Sequence, residues 1–439
     1  MYNLGIFFYK TAIQIAAYFN PKARQWLDGR KNIFSTIEKS LNAKNKDVKT
    51  KTIWLHVASL GEFEQGRPII EELKKETPQY KIILTFFSPS GYEIRKDYPL
   101  ADHIFYLPLD TQKNAQIFLD LVQPDMAIFV KYEFWFHYLN ELKNRHIPTL
   151  LVSGIFREKQ FAKGRFFTPI FRKMLGCFTH FFVQDTPSVI LLKNAYFHNV
   201  TLAGDTRIDR VKAIANEGKT FPIIEDFIGS KPTFIGGSTW QPDEEIIVKL
   251  LQNDAFKNWK IILAPHDISS KNIERIEKLL NFHSIRYSKL QNTEGSSSPL
   301  TNHKSPITHR ESPITNHPSP ILIVDNIGML SSLYRYGKVA YIGGGFGSGI
   351  HNTLEPIAHG LPVIFGPKYH KFAEAVQLLE TGGAFCVKNS EDLGKIMSLL
   401  SDENGYQKAQ FAARNYVEEN VGATDKICTF IDQYFNQKT

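Results

Sequence analysis

From about residue 50 the chain alternates short apolar runs with longer amphipathic stretches. The runs lie at Ile53–Ala58, Ile82–Phe87, His103–Leu107, Met126–Val130, Thr149–Val152, His180–Val183 and Val200–Leu202. Most are apolar at successive positions, as expected of strands covered on both faces of a parallel sheet. Helical stretches such as Arg67–Lys75 and Ser188–Phe197 lie between them and complete βαβ units. The pattern pauses over residues 213–232, where Gly218, Pro222, Gly229 and Pro232 read as a linker. It resumes with Thr233–Gly236, Lys260–Ala264, Ile321–Val324, Val339–Ile342 and Val363–Phe365. The expectation is an α/β chain of two Rossmann-like, doubly wound domains, residues 31–212 and 233–439, facing across a cleft.

Two segments stand outside this alternation. Residues 292–320 repeat SPLTNHK, SPITHRE, SPITNHP, with Pro in every copy and little to bury, and read as a flexible insertion. The first 19 residues, MYNLGIFFYKTAIQIAAYF, carry one charged side chain, Lys10, and are followed by Lys22, Arg24, Arg30 and Lys31. The run is shorter than the roughly 20 apolar residues a spanning helix needs. An apolar helix with a basic flank over residues 1–30 suits a segment lying in a membrane interface on the cytoplasmic side; docking on the protein's own surface is the other reading.

Composition narrows the classes. Apolar residues at 43% and charged residues at 22% exclude wholesale disorder. The 52 Lys and Arg against 44 Asp and Glu give +8, which suits a phosphorylated substrate, an acidic membrane surface or nucleic acid without choosing among them. The basic residues are dispersed and the aromatics sit mostly in strand-like runs, so a nucleic-acid or other anionic-polymer binder ranks last and no nucleic-acid partner is expected. Cys177, Cys386 and Cys428 are far apart, which excludes a zinc ribbon or iron–sulfur site by spacing.

Ligands in doubly wound sheets bind beyond the carboxyl ends of the strands, so those loops hold the candidate chemistry. The first ends in HVASLGEFEQGRP, with Ser59, Gly61 and Glu62 at the turn. Glu62 is placed as a general base, yet Ser59-x-x-Glu62 is equally a capping-box pattern. In the second half, Ser238 and Thr239 follow a strand, and His266 follows another. YIGGGFGSGIHNTLEPIAHGLPVIFGP then supplies Gly344, Gly345, His351, Asn352 and Glu355. Backbone N–H groups here could hold a phosphate and Glu355 the hydroxyls of a ribose, unless Asn352 and Glu355 are simply a helix cap. Neither GxGxxG, GxxxxGK[ST] nor GxSxG is present, which removes P-loop and α/β-hydrolase readings. Glu133 in FVKYEFWFH, and Arg157, Arg207 and Asp209 near later strand ends, are further candidates. No D-x-D occurs, so no metal is expected.

With these residues in view, the sequence resembles the bacterial Kdo transferases, which add 3-deoxy-D-manno-octulosonic acid to the lipid A precursor. WLHVASLGEFEQGRP, YEFW, AGDTRID, GGSTW, HNTLEP and GLPVIFGP follow one another in the family's order. The resemblance implies a GT-B fold, a membrane-associating N-terminal helix, and location at the cytoplasmic side of the inner membrane. It also implies CMP-Kdo as donor without metal or other cofactor, and a lipid A precursor as acceptor. Glu62 would be the catalytic base, with Glu133 in the second acidic block. Asn352 and nearby backbone would hold the CMP phosphate, Glu355 the ribose, and Ser238 and Arg207 would lie beside the donor. The chain departs from the family at Lys131, where a first Glu is expected, at Trp240 for a His, and at His266 for an Arg. A different GT-B nucleotide-sugar transferase or epimerase is the alternative enzyme.

Overall fold

The computed structural model describes residues 2–42, 50–161, 169–250, 256–281, 283–294 and 320–437. The Ser-Pro repeat therefore lies almost wholly outside the described residues. The chain forms two compact units, Met1–Asp209 with Asn420–Thr439, and Arg210–Glu419.

The first unit holds β1 (Thr52–Val57), β2 (Lys81–Phe86), β3 (His103–Tyr106), β4 (Met126–Val130), β5 (Thr149–Gly154), β6 (His180–Val183) and β7 (Val200–Leu202). They form one sheet in the order β3-β2-β1-β4-β5-β6-β7, every pair parallel. β1 sets its Ile53 beside Ile82 of β2 and Met126 of β4. The chain runs outward from β1 to β3 and returns to start again at β4. The sheet's topological switch point thus lies between β1 and β4, whose following loops carry Glu62 and Glu133.

The second unit repeats the plan with β8 (Thr233–Thr239), β9 (Lys260–Pro265), β10 (Ser284–Arg286), β11 (Ile321–Ile323), β12 (Val339–Ile342), β13 (Val363–Phe365) and β14 (Ala384–Cys386). The order is β10-β11-β9-β8-β12-β13-β14, again parallel. Its switch point falls between β8 and β12, ahead of Ser238–Trp240 and the glycine loop.

The division of the chain differs from the sequence expectation in two places. Residues 213–232 are not a plain linker: helices Thr206–Asn216 and Pro222–Ile228 occupy much of them. Pro222 stands at the first turn of its helix and Gly229, at φ +53°, just past its end. These are the residues a helix wants at its start and stop, so here Pro and Gly punctuate an element and do not mark a break between domains. The C-terminal helix Ala423–Asn436 belongs to the first unit, not the second. Its Ala423, Ile427, Cys428, Ile431 and Phe435 pack with Ile69, Ile70 and Leu73 of helix Leu60–Glu76. Asp209 fixes its start, its carboxylate accepting from the N–H groups of Gly422 at 2.6 Å and Thr424 at 2.7 Å. That is a structural role for a residue that sequence alone left as a site candidate.

The N-terminal residues form helices Tyr2–Ala16, Pro21–Asp28 and Ile33–Asn42 on the first unit. Arg30 anchors them. Its guanidinium lies 3.8 Å from the Trp26 ring centroid and donates to the carbonyls of Leu107, Trp26 and Phe87. Tyr2 bonds to the buried carboxyl of Asp110, which also accepts from the N–H groups of His137 and Tyr138. Leu4, Phe7, Phe8 and Ile15 stay outward on the first helix, with Phe19 just beyond it 89% exposed. No described helix is long and apolar enough to cross a membrane.

Candidate active site

In the first unit the polar groups converge where β1 and β4 end. Ser59 caps helix Leu60–Glu76, accepting from Gly61 N–H at 3.3 Å, while its own hydroxyl donates to Glu62 Oε2 at 2.5 Å. The cap half of the Ser-x-x-Glu pattern is therefore real, and it uses the Gly61 N–H. The Glu62 carboxylate, however, is held by the Ser59 side chain and is only partly buried. It is thus oriented and reachable.

Glu133 is held more elaborately. His56, Trp54 and Thr85 are fully buried in β1 and β2. Trp54 and His56 share one face of β1 by the strand's two-residue period, and Thr85 pairs in register with His56. Trp54 Nε1–H donates to Thr85 Oγ1 at 2.8 Å, and Thr85 Oγ1 lies 2.8 Å from His56 Nδ1. His56 Nε2 lies 3.1 Å from Glu133 Oε2, and Trp135 Nε1–H donates to the same oxygen at 2.8 Å. Trp135 Nε1 is also 3.1 Å from His56 Nε2, but the carboxylate is the shorter and stronger acceptor. Of this network the sequence analysis reached Glu133 alone. The available signal was a histidine inside the otherwise apolar strand TIWLHV, since a buried polar group needs partners.

Lys131 at φ +63° and Ser153 at φ +53° end β4 and β5 in left-handed backbone, and Ser238 at φ +51° does so near the end of β8. Such conformations are uncommon for residues with a Cβ and collect at functional loops. Arg157 is exposed beyond β5, and its charge and that of Glu62 both act on Tyr132. Arg207 forms a paired bond to Asp205, with Nε–Oδ2 2.9 Å and Nη2–Oδ2 2.6 Å, and belongs to the first unit.

The second unit carries a pocket of about 310 Å³ lined by Gly237, Ser238, His266, Tyr334, His351, Asn352 and Glu355, among others. That is at the low end of the ~300–1,000 Å³ usual for small ligands. Asn352 Oδ1 caps the Leu354 N–H at 3.0 Å and its Nδ2 donates to Glu355 Oε1 at 3.0 Å. Asn352 thus caps a helix start, and the same two side chains line the pocket wall. Trp240 stacks on His266 with centroids 4.6 Å apart, and His266 on His351 at 4.6 Å. Trp240 Nε1–H donates to His351 Nε2 at 3.0 Å, which leaves Nδ1 to carry the hydrogen of the neutral ring. Burial, then the charge of His266, lowers the His351 pKa and favours that neutral form. Two departures from the family pattern, Trp240 and His266, thus contact each other.

Three expected donor residues sit elsewhere. Thr239 is buried and donates to Glu244, itself paired with Arg275. The Gly344 N–H, at φ +91°, donates to the buried carboxyl of Asp243 at 2.9 Å. Asp243 also accepts from Trp240 N–H at 2.9 Å and the Tyr341 hydroxyl at 3.0 Å. A Cβ on Gly345 would lie 2.6 Å from the Gly366 backbone, so that glycine serves close chain packing. The loop's glycines are spent on its own folding and on Asp243, which the sequence analysis did not single out.

Two parallel sheets with polar groups gathered at each switch point define a GT-B-type α/β protein. Among solved structures the chain is similar to a UDP-GlcNAc 2-epimerase from Neisseria meningitidis, with TM-score 0.58 at 13% identity over 87% of this chain and 100% of that one. It is also similar to MurG from Acinetobacter baumannii, with TM-score 0.52 at 11% identity over 87% and 99%. These likenesses concern the fold. Residues 31–210 match the family model described as 3-deoxy-D-manno-octulosonic-acid transferase (kdotransferase). The 3-deoxy-D-manno-octulosonic acid transferase of Aquifex aeolicus is 31% identical over 355 residues, 80% of this chain and 86% of that protein. The corresponding protein of Rickettsia bellii is 24% identical over 98% of this chain and all of its own. The chain belongs to the 3-deoxy-D-manno-octulosonic acid transferase family.

Proposed function

We propose that this protein transfers Kdo from CMP-Kdo to a sugar hydroxyl of a phosphorylated lipid A precursor such as lipid IVA, without a metal, at the cytoplasmic face of the inner membrane. The observation that carries the reading is an oriented, accessible Glu62 at the first sheet's switch point in a chain of this family. In the proposed step Glu62 takes the acceptor hydroxyl's proton as that oxygen attacks the anomeric carbon of Kdo. The bond from that carbon to the CMP phosphate oxygen breaks, CMP leaves, and configuration inverts. A positioned base of this kind contributes ~10²–10⁴-fold. In the second unit's pocket Asn352 is assigned to the CMP phosphate and Glu355 to the ribose, with Ser238 and His266 beside them.

The outward Leu4, Phe7, Phe8 and Ile15, with Lys22 and Arg24 following, support the membrane assignment. An apolar face beside basic residues favours an anionic interface. The test is incubation of purified protein with CMP-Kdo and tetraacylated lipid A precursor in EDTA, read by mass spectrometry. A gain of one or more Kdo units is expected. Intact substrates with folded protein would refute the donor or the acceptor, and recovery on adding Mg²⁺ would refute metal independence.

A further inference from the structure

The carboxylate of Glu133 is loaded on one side. Both donors, His56 Nε2 and Trp135 Nε1, approach Oε2, whereas among the described residues Oε1 has no such donor. A carboxylate accepts and does not donate, so a hydrogen must lie on His56 Nε2. A neutral His56 ring then accepts at Nδ1, and the Thr85 hydroxyl at 2.8 Å supplies the hydrogen. Thr85 Oγ1 also accepts from the Trp54 N–H, a donor that cannot reverse, and keeps its own hydrogen for His56 Nδ1. The chain therefore has one direction: Trp54 to Thr85 to His56 to Glu133.

We propose that His56 is a positioning residue, its Nε2–H aimed at Glu133 and its Nδ1 held by Thr85, that fixes Glu133 so that Oε1 accepts a hydroxyl of the acceptor sugar. Glu133 follows β4 and Glu62 follows the neighbouring β1, so the two carboxylates serve the same end of the sheet. Glu62 removes a proton, and Glu133 orients the sugar that carries it. This assignment rests on the transfer reaction proposed above, but the tautomer does not.

The structure also supplies the way to break the device. His56 Nδ1 lies 3.2 Å from the Thr85 carbonyl oxygen. Without the Thr85 hydroxyl, a bare Nδ1 faces that carbonyl oxygen and is repelled by it, so the ring turns and its Nε2–H bond to the Glu133 carboxylate is weakened or lost. Thr85→Val removes the hydroxyl at nearly constant shape, and Thr85→Ser keeps it. The experiment records imidazole ¹⁵N shifts of ¹⁵N-His-labelled full-length protein, assigned to His56 by comparison with His56→Asn, together with kcat and KM for both Thr85 variants.

The wild-type and Thr85→Ser proteins are expected to show the Nε2–H tautomer and similar kcat. Thr85→Val is expected to shift the His56 ¹⁵N signals away from those of the wild type and to show a kcat lower on the order of 10²-fold, the cost of a misplaced reacting group. A wild-type Nδ1–H tautomer, or Thr85→Val with unchanged kcat, overturns the proposal. If Thr85→Val does not fold, the wild-type tautomer still decides, Nε2–H supporting the proposal and Nδ1–H overturning it. If the wild type transfers no Kdo but shows Nε2–H, the substrate reading fails while the positioning network stands.

Discussion

Glu62→Gln separates the two roles that sequence alone leaves open at this position. The side chain keeps its shape and can still accept from the Ser59 hydroxyl, so the end of helix Leu60–Glu76 is undisturbed. It loses the ability to take a proton. If Glu62 is the base, kcat falls by ~10²–10⁴-fold, about 2.7–5.4 kcal/mol of transition-state free energy. If it is only a capping residue, Gln serves in its place and both stability and turnover stay near those of the wild type. Ser59→Ala gives the internal scale. It removes one hydrogen bond to a charged group, about 1.5–3 kcal/mol, so its effect on kcat should be about 10–100-fold and smaller than that of Glu62→Gln. CMP affinity provides the control, since every residue lining the second unit's pocket lies within Arg210–Glu419. The assay is initial-rate Kdo transfer at saturating CMP-Kdo, with CMP titrated calorimetrically against each variant. Near-normal kcat in Glu62→Gln would refute the base assignment. A larger loss in Ser59→Ala than in Glu62→Gln would show that the helix cap, not the carboxylate, is what the reaction needs.

Phe7→Ser combined with Phe8→Ser removes two rings that are each 61% exposed. At about 1.5 kcal/mol per ring transferred from water, binding to vesicles of anionic phospholipid should weaken on the order of 10²-fold, and unchanged sedimentation would refute the membrane face. Asp209→Ala removes both charge-assisted bonds to Gly422 and Thr424, a loss of about 2–4 kcal/mol, and hydrogen exchange should find helix Ala423–Asn436 less protected. Burial pushes His351 and His359 of the second unit below their ordinary 6.5. Their contribution to stability is therefore complete above pH 6.5 and is lost as pH falls through the lowered folded values, where the unfolded chain binds more protons. The Tm should fall between pH 7 and pH 5.5, and less so in His359→Phe; a flat or inverted profile would contradict the burial argument.

The strands were legible because buried parallel strands need continuous apolar runs. All 12 sequence-assigned runs coincide with strands. β10 and β14 were missed, each three residues long at a sheet edge, where little burial is needed to hold them. The loops that matter were found because polar residues at the carboxyl ends of apolar runs stand out. The roles within those loops were less accessible. Thr239 and Ser238 are adjacent, and only the register shift near the end of β8 separates an inward side chain from a pocket-lining one. Asp243 reads in sequence as an ordinary acidic residue in a helix's first turn, a place where negative charge is common. Its bonds to Gly344 and Tyr341 cross about a hundred residues of chain, and no local pattern encodes them. The same distance hid the return of the C-terminal helix to the first unit.

That return sets an order on synthesis. The apolar face of Ile69, Ile70 and Leu73 is made early, but the helix that covers it is made last. All of Arg210–Glu419 is translated in between, which at ribosomal speed takes roughly 10–40 s. During that interval the nascent first unit carries an uncovered hydrophobic strip, while the second unit is contiguous and can close as soon as it emerges. A chain cut after residue 419 would leave its defect in the unit farthest from the cut along the sequence, and its insolubility would be misread as a fault of the C-terminal half.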